Sequence, residues 1–92
     1  MAILEDVKLA LRVINTNFDS EVSDIIESCK LDLKEGGVID PDETDKLVKR
    51  AIVLYSKANF GASNPEMEKN EKQYHKVKVL LCSAKKYTTG VV

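Results

Sequence analysis

Apolar residues recur along this chain with the 3.6-residue period of amphipathic helices. No segment alternates with the period of two that is typical of a half-buried strand. Turn signals divide the pattern into four helical segments. The sequence therefore predicts an all-α fold, a small bundle of four helices within a single domain over residues 1–86, followed by a loose and flexible C-terminal tail over residues 87–92.

The first two predicted helices are separated by a polar turn at Asn15-Thr16-Asn17. The first helix runs from about Leu4 to Ile14, and its apolar stripe consists of Leu4, Val7, Leu11 and Ile14. Asp19 or Ser20 can cap the second helix, which ends at Gly36-Gly37, where a positive φ costs little. Its apolar stripe consists of Val22, Ile25, Ile26, Cys29 and Leu33.

The third helix has the sequence of a capping box at its start. Asp40 stands at the predicted N-cap, Pro41 at the first helical position and Glu43 three residues after the cap. This helix is expected to run to Phe60 and to end at Gly61.

The fourth helix is predicted to begin at Asn64-Pro65-Glu66, which repeats the order of a capping residue followed by proline. It fades near Lys86, and its apolar face consists of Tyr74, Val77, Leu80, Leu81 and Ala84.

Charge is divided between the two halves of the chain. Residues 1–45 carry four Lys or Arg against twelve carboxylates, 4 − 12 = −8, and residues 46–92 carry ten against three, 10 − 3 = +7. The formal net charge of −1 therefore conceals a strong dipole. Opposite charges on the two ends favour head-to-tail association, which closes into rings or grows into filaments.

A helical wheel places a basic face on the third helix, opposite its apolar side. The residues of this face are Lys46, Lys49, Arg50 and Lys57, a candidate assembly or channel face. The alternative is a solvated face that only keeps the helix in water. On the fourth helix, Val79 and Cys82 lie away from the apolar face and are candidate inter-subunit contacts.

No arrangement of residues favours catalysis or metal binding. Histidine occurs once, at His75, which is expected on the surface, and Cys29 is expected in the core. Asp40-x-Asp42-x-x-Asp45 lacks the rest of a calcium loop, and Cys29, Cys82 and His75 lack the spacing of zinc ligands. We therefore expect no enzyme activity, no metal and no cofactor.

The chain has no sequence typical of a membrane segment or a secretory signal. Its apolar runs, such as the one over residues 51–55, are too short to span a bilayer, and Glu5-Asp6 follows the first apolar residues at once. We expect a protein made in the cytoplasm with reduced cysteines.

The order of these signals resembles the small head-tail connector (adaptor) proteins of long-tailed bacteriophages and prophages. The resemblance covers roughly residues 5 to 87 and consists of helix starts, stops and packing residues. The segments that carry it are Val7-Lys8-x-x-Leu11-Arg12-Val13, Phe18-Asp19-Ser20-Glu21-Val22, Asp32-Leu33-Lys34-Glu35-Gly36-Gly37-Val38, Asp40-Pro41, residues 47–61, Asn64-Pro65-Glu66 and Tyr74.

This resemblance implies a structural virion protein at the head-tail junction, made in the cytoplasm of the bacterial host. It implies a ring of about twelve subunits that docks under the portal, extends the DNA channel and joins head to tail. The implied partners are other copies of the chain, the portal protein, a tail-completion or stopper protein and DNA that passes without sequence-specific contacts.

The alternative is a different class of protein, a small DNA-binding regulator of the helix-turn-helix type. The basic third helix favours it, but the connection from Glu35 to Asp40 is longer than the usual turn of such motifs. The acidic first half of the chain would also repel phosphate.

Overall fold

The computed structural model describes residues 3–39, 41–60 and 66–84, and in this part of the chain it contains helices and no strands. This confirms the all-α fold and the four predicted helices. The elements in chain order are α1 (Ile3–Leu11), a 3₁₀ turn (Thr16–Phe18), α2 (Asp19–Glu35), α3 (Lys46–Asn59) and α4 (Met67–Ser83).

Helix α3 lies at the centre of the bundle and contacts each of the other three helices. Its length is lined by fully buried side chains such as Val48, Ala51 and Ile52, which pack against one face of every other helix. The remaining core residues of the cluster are Ile3, Val7, Val22, Ile26, Cys29, Leu33, Val38, Leu54, Tyr74, Val77 and Leu81. A single hydrophobic core therefore holds the described helices together.

Helices α2 and α4 run in the same direction, and α3 runs against both. Asp32 of α2 bonds Tyr74 and Lys78 of α4, and one turn later Gly36 lies against Cys82. The opposite sense of α3 follows from two contacts with α2 and its flanks, because Phe18 packs on Phe60 and Cys29 lies beside Ala51.

Helix α1 ends three residues earlier than the apolar pattern predicts. Arg12 adopts a positive φ of 61°, and the N–H of Val13 bonds the carbonyl of Lys8 at 2.9 Å. With the bond from Arg12 N–H to the Leu9 carbonyl, this is a Schellman motif, which closes a helix. The prediction that Ile14 belongs to the core stripe is wrong, since Ile14 is 94% exposed.

The start of α2 also differs from the sequence prediction. Asp19 and Ser20 are already helical and do not cap α2, because the 3₁₀ turn precedes them and Asn15 caps that turn by accepting from Asn17 N–H. Asp19 instead pairs with Lys8 of α1 at 2.6 Å.

The end of α2 agrees with the prediction at Gly36-Gly37. Gly37 has a φ of 112°, and the Val38 N–H bonds the Leu33 carbonyl at 3.0 Å, a second Schellman motif. Gly36 serves a different purpose, because its φ is −80° and a Cβ added there would lie 2.7 Å from the Cys82 sulfur. The first glycine allows α4 to approach, and the second allows the chain to turn.

The predicted capping box of α3 is wrong. The N-cap is Asp45, whose carboxylate accepts from the N–H groups of Leu47 and Val48. Asp42 accepts from Thr44 in a turn before the helix, and Glu43 pairs with Lys30 of α2. Pro41 is buried outside the helix, and Asp40 and Gly61 lie outside the described residues.

Helix α4 buries Tyr74, Val77 and Leu81 as expected, but its predicted core residue Leu80 is 57% exposed. The buried position that sequence reasoning missed is Asn70, one turn before Tyr74. Asn64-Pro65 and the proposed tail at 87–92 lie outside the described residues. The boundary of the domain at residue 86 stays a prediction.

Candidate functional site

A basic groove lies between α3 and α4, with a volume of about 490 Å³. The four predicted basic residues all line it, together with Lys69 of α4. Apolar atoms of Val53 and Leu54 contribute to the same groove. The four residues are Lys46, Lys49, Arg50 and Lys57. The structure thus brings the predicted basic face together and extends it onto α4.

The basic residues of this groove differ in the ion pairs that they form within the protomer. Lys49 reaches Asp6 of α1 at 3.0 Å, and the Asp6 side chain is only 18% exposed. Lys46 and Arg50 are exposed and form no ion pair with the described residues. Lys49 therefore fastens α1 to α3 inside the protomer, whereas Lys46 and Arg50 present their charge to solvent.

The outer side of α2 is acidic. Asp24, Glu27 and Glu35 are exposed on the side opposite the buried residues Val22 and Ile26. Asp24 also lines a second groove, together with Glu21; this groove has a volume of about 600 Å³ and reaches Tyr55 and Asn59 of α3. The protomer thus presents an acidic surface on one side of α3 and a basic groove on another.

The two predicted inter-subunit residues of α4 occupy different environments. Val79 is 64% exposed, and its neighbour Leu80 adds a second exposed apolar side chain. Cys82 is half-buried and packs against the core, where its sulfur faces Gly36. The expectation that Cys82 is exposed is wrong, because α2 ends with a glycine at the point where α4 passes.

A polar link joins α2 to α4 that sequence reasoning did not find. Tyr74 Oη donates to Asp32 Oδ2 at 2.5 Å, and Lys78 Nζ donates to the same oxygen at 2.9 Å. Burial and the hydrogen bond to Asp32 raise the pKa of Tyr74. Burial by itself would raise the pKa of Asp32, but the bonds from Tyr74 and Lys78 hold it below its ordinary value. This link stabilises the bundle with Asp32 ionised.

Cys29 lies beside this link and is fully buried, as predicted. Burial raises the pKa of its thiol to about 12, which outweighs the effect of the hydrogen bond to Tyr74. A thiol with this pKa is protonated and unreactive at neutral pH. His75 is exposed on the surface, where it lies 3.9 Å from Glu71.

The described residues contain no group of three or more His, Cys, Asp and Glu side chains arranged to hold a metal ion. Within the same residues, every helix is too short or too polar to cross a bilayer.

Together, these features define a class of protein. The described part is a small bundle of helices without strands, and its surface grooves carry exposed charges of opposite sign. The class is a small helical protein whose charged faces suit contacts with other macromolecules.

Comparison with known protein families identifies the chain more closely. The model of the family described as phage connector protein matches residues 3–88, so the chain belongs to the phage connector family. No curated protein and no solved structure matches the chain. Membership gives the chain a structural connector role as a component of the phage virion, in contact with other virion components such as the portal.

Proposed function

We propose that this chain is the head-tail connector that forms a ring of about twelve copies under the portal. The ring extends the DNA channel and joins the head to the tail, with the portal protein on one side and a tail-completion or stopper protein on the other. The chain is made in the bacterial cytoplasm and comes to lie at the head-tail junction of the virion.

The observation that carries this proposal is the separation of charge on the folded protomer. The acidic outer side of α2 and the basic groove of α3 and α4 lie on different surfaces of the protomer. The acidic surface of one copy can therefore contact basic residues of the next copy. A contact between two different surfaces is heterologous. Repeated heterologous contacts close into a ring when a whole number of copies completes a rotation of 360°.

The basic face of α3 serves assembly or the channel in this proposal. Lys46 and Arg50 carry the exposed charge, and cations beside a DNA channel would attract phosphate without reading bases. The connection between α2 and α3 spans residues 36–45, which is longer than the turn of a helix-turn-helix motif. This supports the connector over the regulator.

The proposal is tested by the assembly state of the purified chain. We expect a monomer or weak oligomer at low concentration and rings at high concentration or on portal particles, observed by sedimentation velocity and negative-stain electron microscopy. Exposed charges are screened within about 8–10 Å at physiological ionic strength, so salt should weaken the association. A compact dimer that responds to neither concentration nor salt would contradict the ring.

DNA binding separates the connector from the regulator. We expect weak binding of duplex DNA, without sequence preference and with strong salt dependence, which the double variant Lys46→Glu with Arg50→Glu abolishes. A regulator would favour its operator over random DNA by about 4–10 kcal/mol. Selection of one sequence from a random pool, lost in the double variant, would support the regulator instead.

A further inference from the structure

The outer sides of α2 and α4 carry complementary side chains in the same order along the two helices. On α2, Asp24 and Glu27 precede Leu31, which is 60% exposed. On α4, Lys72 and Lys76 precede the exposed Val79. We call these the acidic stripe and the basic stripe, respectively. In each stripe, the charged residues come first along the chain and the exposed apolar residue comes last.

The spacing within the two stripes is also matched. Asp24 and Leu31 are seven residues apart, as are Lys72 and Val79. Seven residues are two helical turns, or about 10.5 Å of rise, so the four residues can meet as two pairs when the helices lie side by side in the same direction. An antiparallel arrangement would place Leu31 against a lysine and Asp24 against Val79.

The stripes have few competing partners within the protomer. Asp24 and Lys76 form no ion pair with the described residues. Lys72 pairs with the exposed Glu68 at 3.5 Å on its own helix, and Glu27 lies 3.4 Å from Lys30, which is partly buried and also pairs with Glu43. Such pairs are weak, so a second copy can replace them at little cost.

We propose that the acidic stripe of α2 in one copy packs in parallel along the basic stripe of α4 in the next copy. This inference rests on the proposed function and names the surface that closes the ring. Leu31 contacts Val79 and Leu80 and supplies the water-excluded part of the interface, while the charges fix its register. The basic face of α3 then remains available for the channel.

The directions of the helices are compatible with this contact. Helices α2 and α4 run in the same direction within one protomer. In a ring of about twelve copies, neighbours differ by a rotation of about 30°, which changes the direction of a helix by no more than that angle. The α4 of one copy and the α2 of the next can therefore still run in the same general direction.

Charge reversal tests the pairing. Lys72→Glu with Lys76→Glu should weaken ring assembly by about tenfold or more, and Asp24→Lys with Glu27→Lys should do the same. An equimolar mixture of these two variants should form rings again, because the reversed α4 of one variant can pair with the reversed α2 of the other. The quadruple variant should assemble by itself. The α3 control, Lys46→Glu with Arg50→Glu, has the same change in charge but lies on the face that this inference assigns to the channel, so it should weaken DNA binding and leave the rings in place.

Cross-linking tests the register. In a Cys82→Ser background, Leu31→Cys with Val79→Cys should form disulfides between copies under mild oxidation, in a ladder that ends at the closed ring. The control pair, Leu31→Cys with Lys72→Cys, is displaced by two turns and should not cross-link. Circular dichroism should show unchanged helix content relative to the Cys82→Ser background, since Leu31, Lys72 and Val79 are exposed.

The outcomes distinguish the inference from the proposed function. Rings that survive the stripe reversals, or that the α3 control removes, overturn the α2–α4 contact and leave the connector role in place. Cross-linking of the control pair indicates an antiparallel contact and also overturns the inference. A wild-type chain that forms no ring at high concentration or on portal particles overturns both.

Discussion

The Tyr74 hydroxyl donates a 2.5 Å hydrogen bond to Asp32 and thereby links α4 to α2. The same carboxylate accepts from Lys78, and the Tyr74 ring packs edge-on against Tyr55 at 5.1 Å. Tyr74 is almost fully buried, so its hydroxyl has little access to water as a substitute partner. The link connects two helices that otherwise meet mainly through α3.

Tyr74→Phe is expected to lower the free energy of unfolding by about 1–2 kcal/mol, because it removes a hydrogen bond to a charged, partly buried carboxylate. Tyr55→Phe is the matched control, since the Tyr55 hydroxyl has no hydrogen bond to the described residues, and it should change stability by less than about 0.5 kcal/mol. Urea unfolding followed by circular dichroism measures both. Equal losses in the two variants would contradict the role of the link.

The contribution of Asp32 to stability should depend on pH. Its pKa in the folded protein lies below the ordinary value, so the unfolded chain takes up the proton first. The contribution is therefore complete above the unfolded pKa of about 4 and is lost as pH falls through the folded pKa. The difference in unfolding free energy between wild type and Asp32→Asn should be constant from about pH 5 to 7 and shrink at lower pH. A difference that persists in acid would contradict this.

Gly36→Ala is expected to destabilise the protein by about 1–3 kcal/mol, because the new methyl group would overlap the Cys82 sulfur. The backbone of Gly36 suits alanine, so the loss should disappear in a Cys82→Ala background. Gly37→Ala is the control. Its cost comes from the positive φ and should be the same with either residue at position 82. A double-mutant cycle from thermal unfolding measures the coupling.

The two thiols should react at different rates in the native protein. Cys82 is half-buried, whereas Cys29 is fully buried with a pKa of about 12. We expect a disulfide reagent at pH 8 to modify Cys82 within minutes and Cys29 only after denaturant is added. Rapid reaction of both thiols without denaturant would show that the core around Cys29 opens readily.

Reversal of charge at two adjacent positions of α3 should lower stability at Lys49 but not at Arg50. Lys49→Glu places a carboxylate beside the partly buried Asp6 and should cost about 1–2 kcal/mol of stability. Arg50→Glu, at the next position, should change stability by less than about 0.5 kcal/mol. Thermal unfolding of the single variants measures both. This difference is why Lys46 and Arg50, rather than Lys49, are reversed in the variants of the α3 face.

The sequence by itself determined the features that depend on local chemistry. The helical period predicted four helices, and Gly36-Gly37 predicted the end of α2, because a Schellman turn needs only a few consecutive residues. The basic face of α3 was also predictable, since residues on one side of a helix are fixed by its period. The sequence also resembled the phage connector family, and the family model confirms this over residues 3–88.

Only the tertiary structure decided which of several equivalent local choices was made. Asp40 and Asp45 can each cap a helix; in the structure Asp45 caps α3, and Glu43 pairs with Lys30 of α2. Lys49 and Arg50 are alike in the sequence, but only Lys49 reaches Asp6. The bond from Tyr74 to Asp32 joins residues 42 positions apart. Such contacts depend on how whole helices pack, which the period of a single helix does not contain.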